Sequence, residues 1–252
     1  MNQENKIIGR KLMSLNNKVV IVTGASSGIG EAIARELADG GCKVMLAARR
    51  EEKLKSLSEE LGDGVAYHVT DVTDHKQVQK MAQATIDRFG KADVLVNNAG
   101  IMPVSPLLDL KIDDWNKAID INIRGVLHGI AAVLPHMSDR GSGHIINIGS
   151  IASLKAGANF AVYCGTKFAV RAISESLRQE MLGKVRVTII YPGAVESELV
   201  QSSNDEKTSS QVEGSFDPIP PTAISNAVRY AISQPDEVGV DEIVVRPANQ
   251  EM

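Results

Sequence analysis

Seven short apolar runs, separated by segments of helical periodicity, constrain this 252-residue chain more than any other feature. They begin with Val19-Val20-Ile21-Val22 and recur at Val44-Met45-Leu46, Val65-Ala66-Tyr67, Val94-Leu95-Val96, Ile145-Ile146-Asn147-Ile148, Val187-Thr188-Ile189-Ile190 and Glu242-Ile243-Val244-Val245. Runs this short and this continuously apolar suit strands that are covered on both faces. The segments between them, such as Lys53 to Leu61 and Val78 to Phe89, are long enough for crossover helices, which join parallel strands.

The expected architecture is therefore α/β: a doubly wound, Rossmann-type, seven-stranded parallel sheet with helices on both faces. No linker or break in composition divides the chain, so residues 15–252 are read as a single domain preceded by an extension, residues 1–14, expected to be disordered or to reflect an upstream start. Residues 196–221 interrupt the rhythm with a polar stretch closing on Pro218-Ile219-Pro220-Pro221. A loop of this length is a substrate lid or a disordered segment, and its place after a strand favours the lid.

With 27 basic and 31 acidic residues the net charge is −4, which offers no field to gather nucleic acid or an acidic membrane. No apolar run approaches the roughly 20 residues that cross a bilayer. Cys42 and Cys164 lack metal-ligand spacing, and no secretory signal is evident, so free thiols and a cytoplasmic setting are expected. The five histidines are likewise scattered, and no catalytic metal is predicted.

Directly after the first strand stands Thr23-Gly24-Ala25-Ser26-Ser27-Gly28-Ile29-Gly30, leading into a helix. Glycines permit a tight turn and close approach of backbone N–H groups to a pyrophosphate, and the helix N-terminus adds partial positive charge. The spacing Gly-x-x-x-Gly-x-Gly differs from the commoner dinucleotide fingerprint, and tight turns also use glycines structurally. The second strand ends in Ala47-Ala48-Arg49-Arg50, where a carboxylate would receive ribose hydroxyls and an arginine would receive a 2′-phosphate. Arg49, and secondarily Arg50 with Ser27, point to NADP(H) over NAD(H); the alternative is solvated arginines pairing with Glu51 and Glu52. Asp71 and the Val72 backbone follow the third strand and could meet the adenine, although Asp71 or Asp74 could equally cap a helix. Asn97-Asn98-Ala99-Gly100 closes the fourth strand with small residues against which a cofactor could lie.

Tyr163 and Lys167 share one helical face, four residues apart. An ammonium beside a phenol is expected to lower the phenol's pKa and make it an acid–base catalyst. Ser150 follows the fifth strand, at the carboxyl edge where doubly wound sheets bind ligands, and could hold a substrate oxygen or simply cap a turn. Met102, Leu154 and Ala156 to Phe160 are candidates for the substrate wall.

Taken together, Thr23-Gly24-x-x-x-Gly28-Ile29-Gly30, Asn97-Asn98-Ala99-Gly100, Asn122, Ser150 with Tyr163-x-x-x-Lys167, and Pro192-Gly193 resemble the short-chain dehydrogenase/reductase family from Lys18 to about Pro247. The resemblance implies a hydride exchange between a nicotinamide and a small carbonyl or alcohol, with Tyr163 as proton donor and Ser150 on the same oxygen. It further implies that Lys167 lowers the tyrosine pKa and grips the ribose, that Asn122 holds a relay water, and that Pro192, Gly193 and Val195 wall the nicotinamide. Gly24, Ser26, Ser27, Gly28, Ile29, Gly30, Asn98, Ala99 and Gly100 would complete the cofactor site. A homodimer or homotetramer is implied, pairing helices after Asp113 and around Tyr163 to Met181. The chain departs from the pattern at Ser27, often basic in NADP(H)-preferring members, and at Val195-Glu196-Ser197, which adds a carboxylate. The rival reading is a catalytically silent dinucleotide-binding regulator.

Overall fold

The computed structural model describes residues 15–199 and 217–250; the expectations for residues 1–14, and for most of the 196–221 lid, fall outside them. The seven apolar runs form β1 (Val19–Thr23), β2 (Lys43–Ala48), β3 (Val65–Val69), β4 (Val94–Asn97), β5 (Gly143–Ile148), β6 (Val185–Pro192) and β7 (Glu242–Val245). All neighbours pair in parallel, in the order β3-β2-β1-β4-β5-β6-β7. The order reverses between β1 and β4, which opens a crevice beyond the carboxyl ends of those two strands.

Among the described residues seven α-helices cover the sheet: α1 (Gly28–Asp39), α2 (Glu51–Leu61), α3 (His75–Phe89), α4 (Ile112–Ile119), α5 (Gly125–Asp139), α6 (Ala161–Glu180) and α7 (Thr222–Ile232). Successive strand residues point to opposite faces, so each strand feeds two cores. On one face Val20, Val22, Leu46 and Val96 meet Ile33, Leu37 and Leu54, with Val228 of α7. On the other, Ile21, Leu95 and Ile145 meet Met81, Val133 and Val170. This two-sided burial explains why the strands read as unbroken apolar runs rather than as alternation.

Helices α4 and α5 are one continuous rod, Ile112–Asp139, joined by a π-helical turn at Asp120–Arg124. By length and composition this rod could cross a membrane. Here Val126, Ile130, Val133 and Met137 are spent on the sheet core. Periodicity alone did not reveal the wide turn. It is the only π-helical turn among the described residues, and it carries Asn122.

Candidate active site

The glycine turn is built by steric necessity at two positions. Gly24 has φ +67, and a Cβ there would lie 2.9 Å from Ala99 Cα. A Cβ on Gly30 would collide with the Gly24 carbonyl oxygen. The turn is therefore locked against the start of α1 and against the Asn98-Ala99 segment. Thr23 completes that lock: its hydroxyl accepts from Asn98 N at 3.0 Å and Ala99 N at 3.1 Å, and donates to Val96 O at 3.3 Å. Asn98 Nδ2 returns a bond to Thr23 O at 2.9 Å. Ser27, the residue preceding α1, makes no side-chain cap, so the first turn keeps N–H groups for an anion.

Beyond this turn runs a cleft of about 920 Å³ along the carboxyl edge of the sheet. Every expected site residue lines it except Gly30, which lies beneath the turn, and Asn122, which stands behind the wall. Residues separated by up to 171 positions, from Gly24 to Val195, are thereby brought to one surface. Along the strand order the cleft runs from Arg49, Arg50, Asp71 and Val72 after β2 and β3, past the glycine turn after β1, to Ser150, Tyr163 and Lys167 beyond β5.

Both arginines line the cleft, and Arg50 is the one tied to the glycine turn by hydrogen bonds. Arg50 Nε donates to Ser26 Oγ at 3.0 Å and Nη2 to Ser27 Oγ at 2.6 Å, while Arg49 stands exposed between the cleft and a shallower depression beside α4. Nor does Arg50 pair with its neighbours Glu51 and Glu52: its carboxylate partner is Glu198, at 2.8 Å. Asp71 accepts from Thr73 N and Oγ1, whereas the cap of α3 is Asp74, which accepts from Lys76 N and Gln77 N.

Ser150 caps a turn, one of the two readings offered for it, and its hydroxyl also faces Tyr163. Its hydroxyl accepts from Ala152 N at 3.1 Å as the cap of a short 3₁₀ turn, with Ser153 returning the bond to Ser150 N, and it also hydrogen-bonds the Tyr163 phenol. Tyr163 and Lys167 sit one turn apart near the start of α6, both buried at the cleft wall. Lys167 Nζ donates to Ile148 O at 2.9 Å and lies 5.8 Å from the Tyr163 ring centre.

The expected lowering of the tyrosine pKa by Lys167 is not seen in this arrangement. Burial pushes the phenol up to about 12; the Ser150 hydrogen bond is the opposing influence, and the ammonium is turned to the Ile148 carbonyl. Burial also brings Lys167 down to about 8.

Asn122 is held from three sides. Oδ1 accepts from Ile101 N at 2.9 Å, while Nδ2 donates to Ile101 O at 2.9 Å and to Thr166 Oγ1 at 3.0 Å. Thr166 donates in turn to Tyr163 O at 2.7 Å. The π-turn thus ties the loop after β4 to the base of the tyrosine helix. A second buried chain lies below: Asn97 Nδ2 donates to Asn147 Oδ1 at 2.9 Å, and Asn147 Nδ2 to Ser174 Oγ at 2.8 Å, joining β4, β5 and α6.

Several supporting residues escaped sequence reasoning. Thr23, Asn147 and Thr166 read as ordinary strand and helix residues, and only their burial at a strand end or on a core-facing helix stripe hinted at more. Gln250 is buried and accepts from Ala194 N at 3.0 Å, bracing the Pro192-Gly193 wall, and Glu198 lay within the polar stretch read only as a lid. Of the expected wall, Met102, Ala156, Gly157 and Phe160 line the cleft; Ala158 and Asn159 do not, and Leu154 packs against the core instead. Cys42 and Cys164 are both free and buried, burial pushing the Cys42 thiol up to about 11. No group of His, Cys, Asp or Glu suited to a metal occurs among the described residues.

Comparison with known proteins gives the same reading of the scaffold. Residues 18–208 match the family model for short chain dehydrogenases. An uncharacterised oxidoreductase of Staphylococcus saprophyticus is 45% identical over 244 residues, covering 95% of this chain and 99% of that protein. The closed form of a serine dehydrogenase complexed with NADP+ superposes with a TM-score of 0.88 at 35% identity, over 93% of this chain and 96% of the other. A short-chain dehydrogenase/reductase from Burkholderia phymatum in complex with NAD superposes with a TM-score of 0.84 at 26% identity, over 92% and 90%. The chain belongs to the short-chain dehydrogenase/reductase family of oxidoreductases, with its single-domain Rossmann-type fold.

Proposed function

We propose that this protein is an NADP(H)-dependent oxidoreductase that interconverts a small carbonyl compound and its alcohol. The observation that carries the reading is the convergence of Ser150, Tyr163 and Lys167 on the wall of a cleft whose other end is the glycine turn and the N-terminus of α1. The nicotinamide would supply or receive the hydride. Tyr163, with its phenol protonated at neutral pH, would give its proton to the carbonyl oxygen during reduction, and Ser150 would hydrogen-bond the same oxygen as negative charge develops there. Lys167 would hold the ribose hydroxyls, and Asn122 would fix the Ile101 loop and the Tyr163 backbone.

NADP(H) is favoured over NAD(H) by the cations and hydroxyls gathered where β2 ends, Arg50 with Ser26 and Ser27, and by Ala48 in place of a carboxylate. The NADP+ complex of the serine dehydrogenase agrees with this choice. The substrate end is walled by Met102, Ile151, Phe160 and Cys164, which suits a small, partly apolar ketone, aldehyde or secondary alcohol. A cytoplasmic enzyme with no nucleic-acid or membrane partner fits the net charge of −4 and the two free thiols. A homo-oligomer fits Ile119, Leu127 and Phe168, which are partly exposed on the helices expected to pair.

The test is NADPH oxidation against a panel of carbonyl compounds. Tyr163→Phe should cut turnover by about a hundredfold or more while leaving NADPH binding intact. Turnover within a few fold of the parent would remove Tyr163 as the acid.

A further inference from the structure

Glu198 occupies the cation cluster at the adenosine end of the cleft. One oxygen of its carboxylate lies 2.8 Å from Arg50 Nη1 and the other 3.3 Å from Lys53 Nζ, and the Ser27 hydroxyl also hydrogen-bonds it. The partners come from the glycine turn, the end of β2 and the first turn of α2, and they converge on an acid 145 or more positions away in sequence. Arg50, chiefly, and Ser27 hold the Glu198 pKa down to about 2, so it is anionic at any working pH.

The placement follows from the chain's path. After β6, Glu196 N donates to Ile219 O and Ile219 N donates to Ala194 O, each at 3.0 Å, which pins the base of the segment. Ser197 then crosses Gly28, where a Cβ would lie 3.3 Å from Ser197 Cβ. Glu198 follows directly onto Arg50. The carboxylate thus stands on the donors that a 2′-phosphate would need: a guanidinium fork, an ammonium and a hydroxyl.

Resting on the NADP(H) reading, we propose that Glu198 is a specificity-determining residue whose carboxylate is an internal rival of the cofactor 2′-phosphate for Arg50, Lys53 and Ser27. A phosphate monoester brings up to two charges and three acceptor oxygens against one charge and two oxygens, so it displaces the carboxylate, at a cost that an unphosphorylated dinucleotide does not meet. The side chain is 49% exposed and can leave for water. Glu198 therefore narrows the margin by which phosphorylated dinucleotide is preferred.

The experiment is calorimetric titration of the full chain with adenosine 2′,5′-bisphosphate and with adenosine 5′-monophosphate, for the parent, Glu198→Gln, Arg50→Ala and the double variant. Glu198→Gln should tighten the bisphosphate about twofold to fivefold, the range set by exposed ion pairs, and leave the monophosphate unchanged. That gain should vanish in the Arg50→Ala background. No gain, an equal gain for both nucleotides, or weaker bisphosphate binding in Glu198→Gln overturns the rivalry while leaving the cofactor reading in place, provided the parent prefers the bisphosphate and Arg50→Ala abolishes that preference. A parent and a Glu198→Gln variant that both bind the two nucleotides equally overturn the cofactor reading itself.

Discussion

Tyr163 shows how burial and partnership compete at a single side chain. Its phenol is enclosed by protein, and enclosure favours the neutral form more strongly than the Ser150 hydrogen bond favours the anion. A group whose pKa is raised to about 12 holds its proton through neutral pH, which suits a donor in carbonyl reduction and hinders the reverse step, where the phenolate must accept a proton. Reduction should therefore be level across neutral pH, whereas alcohol oxidation should climb as pH rises into the alkaline range. Initial rates in both directions across that range are the check; oxidation that falls steadily with rising pH would contradict the assignment. The position of Tyr163 relative to Lys167 was legible from spacing. The pKa direction was not, because spacing along a helix records neither burial nor the Ile148 carbonyl that claims the ammonium.

At the scale of an element, glycines of the same composition have opposite meanings. Gly30 lies where a Cβ would strike the Gly24 carbonyl, so Gly30→Ala should displace α1 from the turn, cost about 1–3 kcal/mol of stability and weaken dinucleotide binding. Gly165, exposed on α6 with nothing within 4 Å of its added Cβ, should accept alanine and gain about 0.5–1 kcal/mol from helix propensity. Thermal unfolding of both variants, with cofactor titration of the first, separates the two cases; equal shifts would mean that the contact at Gly30 relaxes freely. The strands and most helices were legible because two-sided burial writes itself as apolar runs. The π-turn was not, since one extra residue in a helical turn leaves no compositional mark. Glu198 was hidden for a different reason: its partners are fixed by the path of the chain over Gly28, not by any local pattern.

For the whole molecule, the sheet order places chemistry at one edge and leaves the long helices α4, α5 and α6 with apolar residues facing outward. Leu127 and Phe168 are 42% and 40% exposed. If these faces pair two copies, Leu127→Glu with Phe168→Glu should lower the solution mass to that of one chain, read by sedimentation or light scattering. A parent that already runs as a single chain would exclude the pairing. The overall topology and the residues around the cleft were foreseeable because short parallel strands with helical crossovers allow few arrangements. Partner number was not foreseeable, since exposed apolar side chains give a face but not a symmetry.

The wide turn at Asp120–Arg124 carries a lesson for anyone altering this chain. Adding one residue to a helical turn rotates everything downstream by about 100° about the axis while leaving the rod straight enough to stay packed. Removing a single codon there would keep nearly every side chain yet swing the amide of Asn122 away from Ile101 and Thr166. In this stretch, length does as much as identity to hold the cleft wall in place.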